Sequence, residues 1–200
     1  MAGAFIGLGN WQLDRAQELK ASTRTVVTVT EPIELTTLAK PRVTIDARNF
    51  LKNVSSEGNY IATFRSDNQV SDGVAATAWE VGVLQVDANS AILVVRGLWA
   101  DRLTEPQIAM SQKVSVTGVL QPSQSSDRGP NSADNLARVD STLLLTKAGL
   151  SNFDLYDGFI LANSEVVDGA KIDRTRLEIS VDNSKVPGYY WQHISYVFIW

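Results

Sequence analysis

The strongest constraint in this chain is a series of short β-branched segments separated by turn signals. "RTVVTVT" (24–30), "RVTIDARNFL" (42–51), "GNYIATF" (58–64), "AWEVGVLQV" (78–86), "AILVVRGLW" (91–99) and "KVSVTGVL" (113–120) follow one another along the chain. Valine, isoleucine, threonine and aromatic residues suit a pleated, half-buried surface. Val43, Ile45 and Ala47 alternate, as do Val114 and Val116. The run Ile92–Val95 is continuously apolar, the pattern of a strand covered on both faces. "ARVDSTLLL" (137–145), "YDGFILANSEVV" (156–167) and "TRLEISV" (175–181) extend the series. The connections carry turn chemistry: "SSEG", "RSDNQVSDG" (65–73) and a hairpin tip at "DANS" (87–90). "PIELTTLAK" reads as a loop or a short turn of helix, and "QPSQSSDRGPNSADN" (121–135) as a polar loop with no periodicity, the least ordered part of the domain. Such a series predicts a mainly β fold, an antiparallel barrel or sandwich over residues 24–181.

The ends differ in texture. Residues 3–22 lack proline and place Leu8, Gln12, Arg15 and Leu19 at helical spacing. The segment from Pro187 to Trp200 has no charge beyond what His193, the single histidine, can carry. As a helix from Tyr189, it would put Tyr189, His193, Tyr196 and Trp200 within an arc of about 60°, at roughly 100° per residue. A helix apolar all round lies in a core or in lipid. His193 then has two readings: a buried ring satisfied by one hydrogen bond, or a neutral imidazole facing a flat aromatic ligand or a metal, framed by stacking rings. Haem suits a lone histidine, because the macrocycle supplies the other four nitrogens.

Other chemistry finds little support. The net charge of -4 and the pI near 5.0 do not describe a general phosphate-binding surface, so nucleic acid is not an expected partner. With no cysteine and one histidine, there is neither a thiolate site nor a multi-histidine metal centre. There is no Gly-x-Ser-x-Gly elbow to recruit His193 as a base, and Gly7-Leu8-Gly9 lacks the third glycine of a dinucleotide loop. Asp67, Asp72 and Asp127 sit in polar loops and read as solvated. No enzymatic activity is expected.

Four stretches then combine. "LGNWQLDR" (Leu8, Gly9, Trp11, Gln12, Arg15), "ILVVRGLW", "KVSVTGVLQPSQ" and "HISYVFIW" (His193, Tyr196, Trp200) stand in the order and spacing of the surfeit locus protein 1 family, assembly factors of cytochrome c oxidase, which the chain resembles over nearly its whole length. It departs from the pattern at Leu98, which interrupts Arg-Gly-Trp, at Ile199, where glutamine is usual, and at Lys20, displaced by one.

The resemblance implies three segments. Residues 1–22 would be the end of a first membrane helix with its juxtamembrane stretch, 23–186 an extracytoplasmic β domain, and 187–200 the start of a second membrane helix. Helices 3–20 and 188–200 would leave the same face of the domain. Gly9, Trp11, Gln12 and Arg15 would mark the membrane boundary, where indole is favoured. His193 would be an axial ligand of haem a, with Tyr196 and Trp200 beside it. The implied partners are cytochrome c oxidase subunit I, haem a synthase and membrane lipid, in a bacterial plasma membrane rather than a mitochondrial inner membrane. Arg96, ending an apolar strand, reads first as a surface or edge charge, and otherwise as a grip for a partner or a propionate. The competing reading is a soluble β-barrel module for a lipid or protein partner, with the terminal helices tucked against its core.

Overall fold

The computed structural model describes residues 31–71, 74–104, 112–147 and 149–177, which belong to one unit spanning Val29–Ile179. Its elements are β1 (Ile33–Glu34), the one-turn helix α1 (Leu35–Leu38), β2 (Asn53–Ser71), β3 (Val74–Gln85), β4 (Ser90–Leu98), α2 (Trp99–Thr104), β5 (Lys113–Gln121), β6 (Asp154–Val167) and β7 (Ala170–Lys171). Short 3-10 turns occupy Ala47–Asn49 and Ser141–Thr146.

The sheet closes on itself. β2 pairs with β3, β3 with β4, β4 with β6, β6 with β5, and β5 returns to β2. The length of β2 makes closure feasible: Asn53–Asn59 pair with β5, and Asn59–Ser71 pair with β3. Irregularities between Tyr60 and Ala62, and again around Gln69, bend the strand between its two partners. The β4–β6 and β1–β2 pairs are parallel and the others antiparallel, so the sheet is mixed rather than antiparallel throughout. The closed five-strand order, with a parallel closing pair and α2 between β4 and β5, is that of the OB type of Greek-key barrel.

Alternation along the strands produces two cores. Val54, Leu84, Ile92, Val94, Val114, Val116, Leu120 and Ile160 come from all five barrel strands and pack together inside it. Leu35, Ala39 and Ile45 join them. The opposite parity of β3, β4 and β6 (Val81, Val83, Leu93, Val95, Phe159, Leu161) packs outside the barrel against Leu136, Val139, Leu144 and Leu150. This explains the continuous apolar run of β4: both of its faces are covered.

Several expectations are corrected. Residues 42–51 form no strand. Arg42 and Leu51 adopt left-handed φ of 59° and 64°, and the Asp46 side chain caps the 3-10 turn by accepting from the Arg48 amide at 2.9 Å. Segment 137–145 is likewise not a strand: Asp140 accepts from Thr142 N at 2.9 Å and starts the turn at Ser141–Thr146. The turn expected at 65–73 is strand as far as Ser71, its turn-prone Asn68 (φ 55°) serving a bulge instead. The described residues 175–177 carry no strand.

The 121–135 segment, expected to be the least ordered, is tied down at several points. Gln124 N donates to Val139 O (2.9 Å) and Arg128 N to Ala137 O (2.7 Å). Lys147 Nζ donates to Asn131 Oδ1 (2.9 Å), to Asn135 O (3.2 Å) and to Ser132 O. The hairpin at 87–90 forms as expected, with Asp87 accepting from the Asn89 and Ser90 amides. The helices expected over residues 3–20 and 188–200, and the strand expected at 24–30, lie outside the described residues. Among the described residues, no helix is long and apolar enough to cross a membrane.

Candidate functional site: an ion-paired plug in the barrel

One end of the barrel interior is polar. Glu80 on β3, Arg96 on β4 and Glu165 on β6 occupy inward positions where the rest of the barrel places aliphatic residues. Their side chains are 1 %, 5 % and 0 % exposed. Charges this deep require partners, since desolvating an ion costs several kcal/mol. Arg96 supplies two contacts, Nε to Glu165 Oε1 at 2.8 Å and Nη1 to Glu80 Oε1 at 3.0 Å. The buried Tyr60 hydroxyl donates to the same Glu165 oxygen at 2.6 Å. The Arg96 guanidinium lies over the Tyr60 ring, 4.1 Å from its centre, a cation–π contact strengthened by burial.

Two further arginines arrive after β7. Arg174, 2 % exposed, donates through Nη2 to Glu80 Oε2. Arg176 donates through Nη1 to Glu165 Oε2 (2.8 Å) and to Arg96 O (3.0 Å), and through Nη2 to Ile172 O (3.1 Å). Thr175 N donates to Asp101 Oδ2 on α2 at 3.0 Å. Arg102, also on α2, reaches Glu80 Oε1 at 3.7 Å and stacks over Trp99. Segment 172–177 is therefore stitched to the barrel end by its arginines.

Backbone features make room for this packing. Pairing slips between Glu80–Gly97 and Val81–Val95, leaving Arg96 as the extra residue of a bulge aimed inward. Gly97 has φ +149°, a region side chains rarely adopt, and a Cβ there would stand 2.8 Å from Thr175 O. At Gly82 a Cβ would meet the Tyr60 ring at 2.5 Å and Arg96 Cδ at 3.0 Å. The missing side chain of Gly82 is the space in which tyrosine and arginine stack.

The electrostatics follow from these contacts. Burial pushes the Glu165 carboxyl up, but the Arg96 charge and the hydrogen bonds from Tyr60, Arg176 and Arg96 outweigh it, so its pKa lies below the usual carboxylate value. Burial works against the Arg96 charge, and Tyr60, Glu165 and Glu80 together more than restore it, leaving the guanidinium pKa raised. Burial, followed by the Glu165 charge, drives the Tyr60 hydroxyl well above its ordinary value. Glu165 is thus a fixed carboxylate and Tyr60 a fixed donor at neutral pH.

The plug revises the reading of Arg96: it is no surface charge but the hub of a buried network. Glu80, Glu165, Tyr60, Arg174 and Arg176 were not singled out from the sequence. A signal was present in the acids that interrupt the apolar alternation of "AWEVGVL" and "FILANSEVV". Such interior acids call for a buried cation, and Arg96 in "ILVVRGLW" is the matching one. The residues expected to form the site, His193, Tyr196 and Trp200 with Gly9, Trp11, Gln12 and Arg15, lie outside the described residues. Among the described residues, no cluster of three or more histidine, aspartate or glutamate side chains could hold a metal ion.

Fold and plug define a class: a closed, mixed β-barrel domain whose open end is sealed by a buried arginine–glutamate network to which the following segment is fastened. The family model described as the SURF1 family matches residues 1–200, and the chain belongs to that family, the surfeit locus protein 1 family. Membership implies a role in cytochrome c oxidase assembly. No curated relative matches the chain.

Proposed function

We propose that this protein is a membrane-anchored assembly factor that helps haem a reach subunit I of cytochrome c oxidase, without catalysing a reaction itself. The carrying observation is the family match over residues 1–200. The flanking segments 1–22 and 187–200 are read as the anchoring ends, with the barrel outside the cytoplasm. The barrel's part is to be a rigid body of fixed shape. Its Glu165 is held ionised and its Tyr60 protonated, and neither exchanges a proton near neutral pH. Arg174 and Arg176 fix the path of segment 172–177 against the barrel end.

His193 is the proposed haem a ligand, with Tyr196 and Trp200 on the same stripe of a helix, and Gly9, Trp11, Gln12 and Arg15 at the boundary of the other segment. An apolar site disfavours the charged imidazole and leaves the neutral form that iron binds. The residue types present therefore fit the group; haem would supply the bound iron and its spectrum, and the chain would supply one nitrogen and stacking rings. Subunit I is the proposed recipient, and haem a synthase a proposed donor. The test is to purify the protein in detergent and record its haem spectrum beside that of His193→Ala. The reading expects haem a bound to the parent and lost from the variant. Oxidase in cells lacking the protein should carry less haem a, and the variant should fail to restore it. A variant with an unchanged haem a spectrum returns His193 to a structural role.

A further inference from the structure

Among the described residues, four large apolar residues stand exposed, and the two most exposed, Val43 (53 %) and Leu145 (54 %), line the same groove. A single exposed aliphatic is ordinary, whereas two from separate segments on one concave surface are not. The groove, about 530 Å³, is lined by the 42–44 loop, the Ser141–Thr146 turn and the residues leading into β6, where Phe153 and Leu155 are half-buried. The loop is held in place: Arg42 N donates to Leu155 O at 2.9 Å, and Arg42 Nη2 pairs with Asp154 Oδ1 at 2.5 Å. The other charged residue of the lining is Asp157. Its half-buried side chain has no hydrogen-bond or ion-pair partner among the described residues, whereas the Arg42 cation is engaged by Asp154. Asp157 stands in a bulge: β6 runs from Leu155 to Phe159 while β4 advances only from Ala91 to Leu93. Gly158 follows at φ +79°, and a Cβ there would stand 2.4 Å from Gln121 O, so the bulge requires its glycine. Bulges re-aim side chains beside functional surfaces, and this one delivers a carboxylate to an apolar groove.

We propose that this groove docks a segment of a partner protein that presents an aliphatic side chain next to a lysine or arginine. The aliphatic side chain covers Val43, Leu145 and Phe153 and removes their apolar surface from water. The neighbouring cation meets Asp157, which accepts it without having to release another partner. A half-buried carboxylate is screened less by salt than an exposed one, so it discriminates by charge as well as attracting. An acidic segment or an anionic lipid headgroup is turned away by the same group. The docking surface does not depend on the haem a reading of His193.

The test titrates the purified 200-residue chain at neutral pH with the blocked peptide Ser-Leu-Lys-Leu-Ser and follows the methyl NMR signals of Val43 and Leu145. The peptide is expected to move both signals saturably. Replacing its lysine by glutamate turns attraction into repulsion and should weaken binding about tenfold or more, and replacing its leucines by alanine should weaken it too. Asp157→Asn keeps the shape of the groove and should cost about fivefold, while making the lysine and glutamate peptides bind more nearly alike. Lysine and glutamate peptides that bind the parent equally overturn the proposal, as does an Asp157→Asn protein that still separates them as the parent does. No movement of either methyl signal at peptide concentrations of about 10 mM also overturns it. Two controls assign the groove elsewhere and refute the peptide reading: movement of the same signals by zwitterionic phosphatidylcholine vesicles but not by the peptide, which makes it a lipid contact, or by raising the protein concentration alone, which makes it a contact between copies. If Asp157→Asn does not fold, the peptide pair measured on the parent decides.

Discussion

Replacing Glu165 by Gln tests the plug where it is most exposed to failure. The substitution keeps the shape and leaves an oxygen that can still accept from Tyr60. It removes the charge that faces Arg96 Nε and Arg176 Nη1, both at 2.8 Å. Arg96 and Arg176 then face a neutral amide in place of their shared carboxylate. Breaking a buried ion pair by removing one partner costs about 3–5 kcal/mol, because the other charge stays buried. That is a large share of the roughly 5–15 kcal/mol that holds a domain together. Urea unfolding at neutral pH should therefore show a lower midpoint with an unchanged slope, since the surface exposed on unfolding is the same.

The pH dependence gives a second reading of the same contact. The folded carboxyl of Glu165 titrates below its unfolded value, so the unfolded chain takes up its proton first as pH falls. Its stabilisation is complete above the unfolded glutamate pKa, about 4.3, and is lost as pH falls through the lower folded value. The stability gap between parent and Glu165→Gln should be widest near neutrality and narrow below about pH 4. A gap under about 1 kcal/mol at neutral pH, or one that does not change with pH, would refute the claim that Glu165 is a charged, stabilising centre of the plug.

Other outcomes follow from the same contacts. Gly82→Ala places a methyl group 2.5 Å from the Tyr60 ring and should cost about 1–3 kcal/mol in urea unfolding, as overpacked sites do. Gly97→Ala meets both the φ of +149° and the Thr175 carbonyl 2.8 Å away, and should lower the thermal midpoint by a similar amount, about 1–3 kcal/mol of strain. Lys147→Met removes the ammonium that holds Asn131, Ser132 and Asn135, so trypsin should cut after Arg128 much faster than in the parent, where that segment is pinned. Equal cleavage rates would show that the backbone bonds of Gln124 and Arg128 hold the segment without the lysine.

The sequence by itself determined the β class, most of the barrel strands and the family. Alternation in "KVSVTGVL" placed Val114 and Val116 on one face, and the unbroken run Ile92–Val95 announced a strand covered on both sides, because strand periodicity is local and each residue reports its own face. The failures were also local. Val43, Ile45 and Ala47 alternate like a strand, yet the backbone turns left-handed at Arg42 and Leu51, and only Ile45 joins the core. Asn68 looks like a turn and serves a bulge, since both uses need a residue that tolerates positive φ. Tertiary structure alone decided the rest. Closure depends on one long strand finding two partners, and the parallel β4–β6 pair joins segments more than fifty residues apart. The plug is the clearest case: Tyr60, Glu80, Arg96, Glu165, Arg174 and Arg176 are spread over more than a hundred residues, and no single stretch shows which charges meet. A buried charge is tolerated only when folding delivers its counter-charge, and that delivery is a property of the closed barrel rather than of any segment within it.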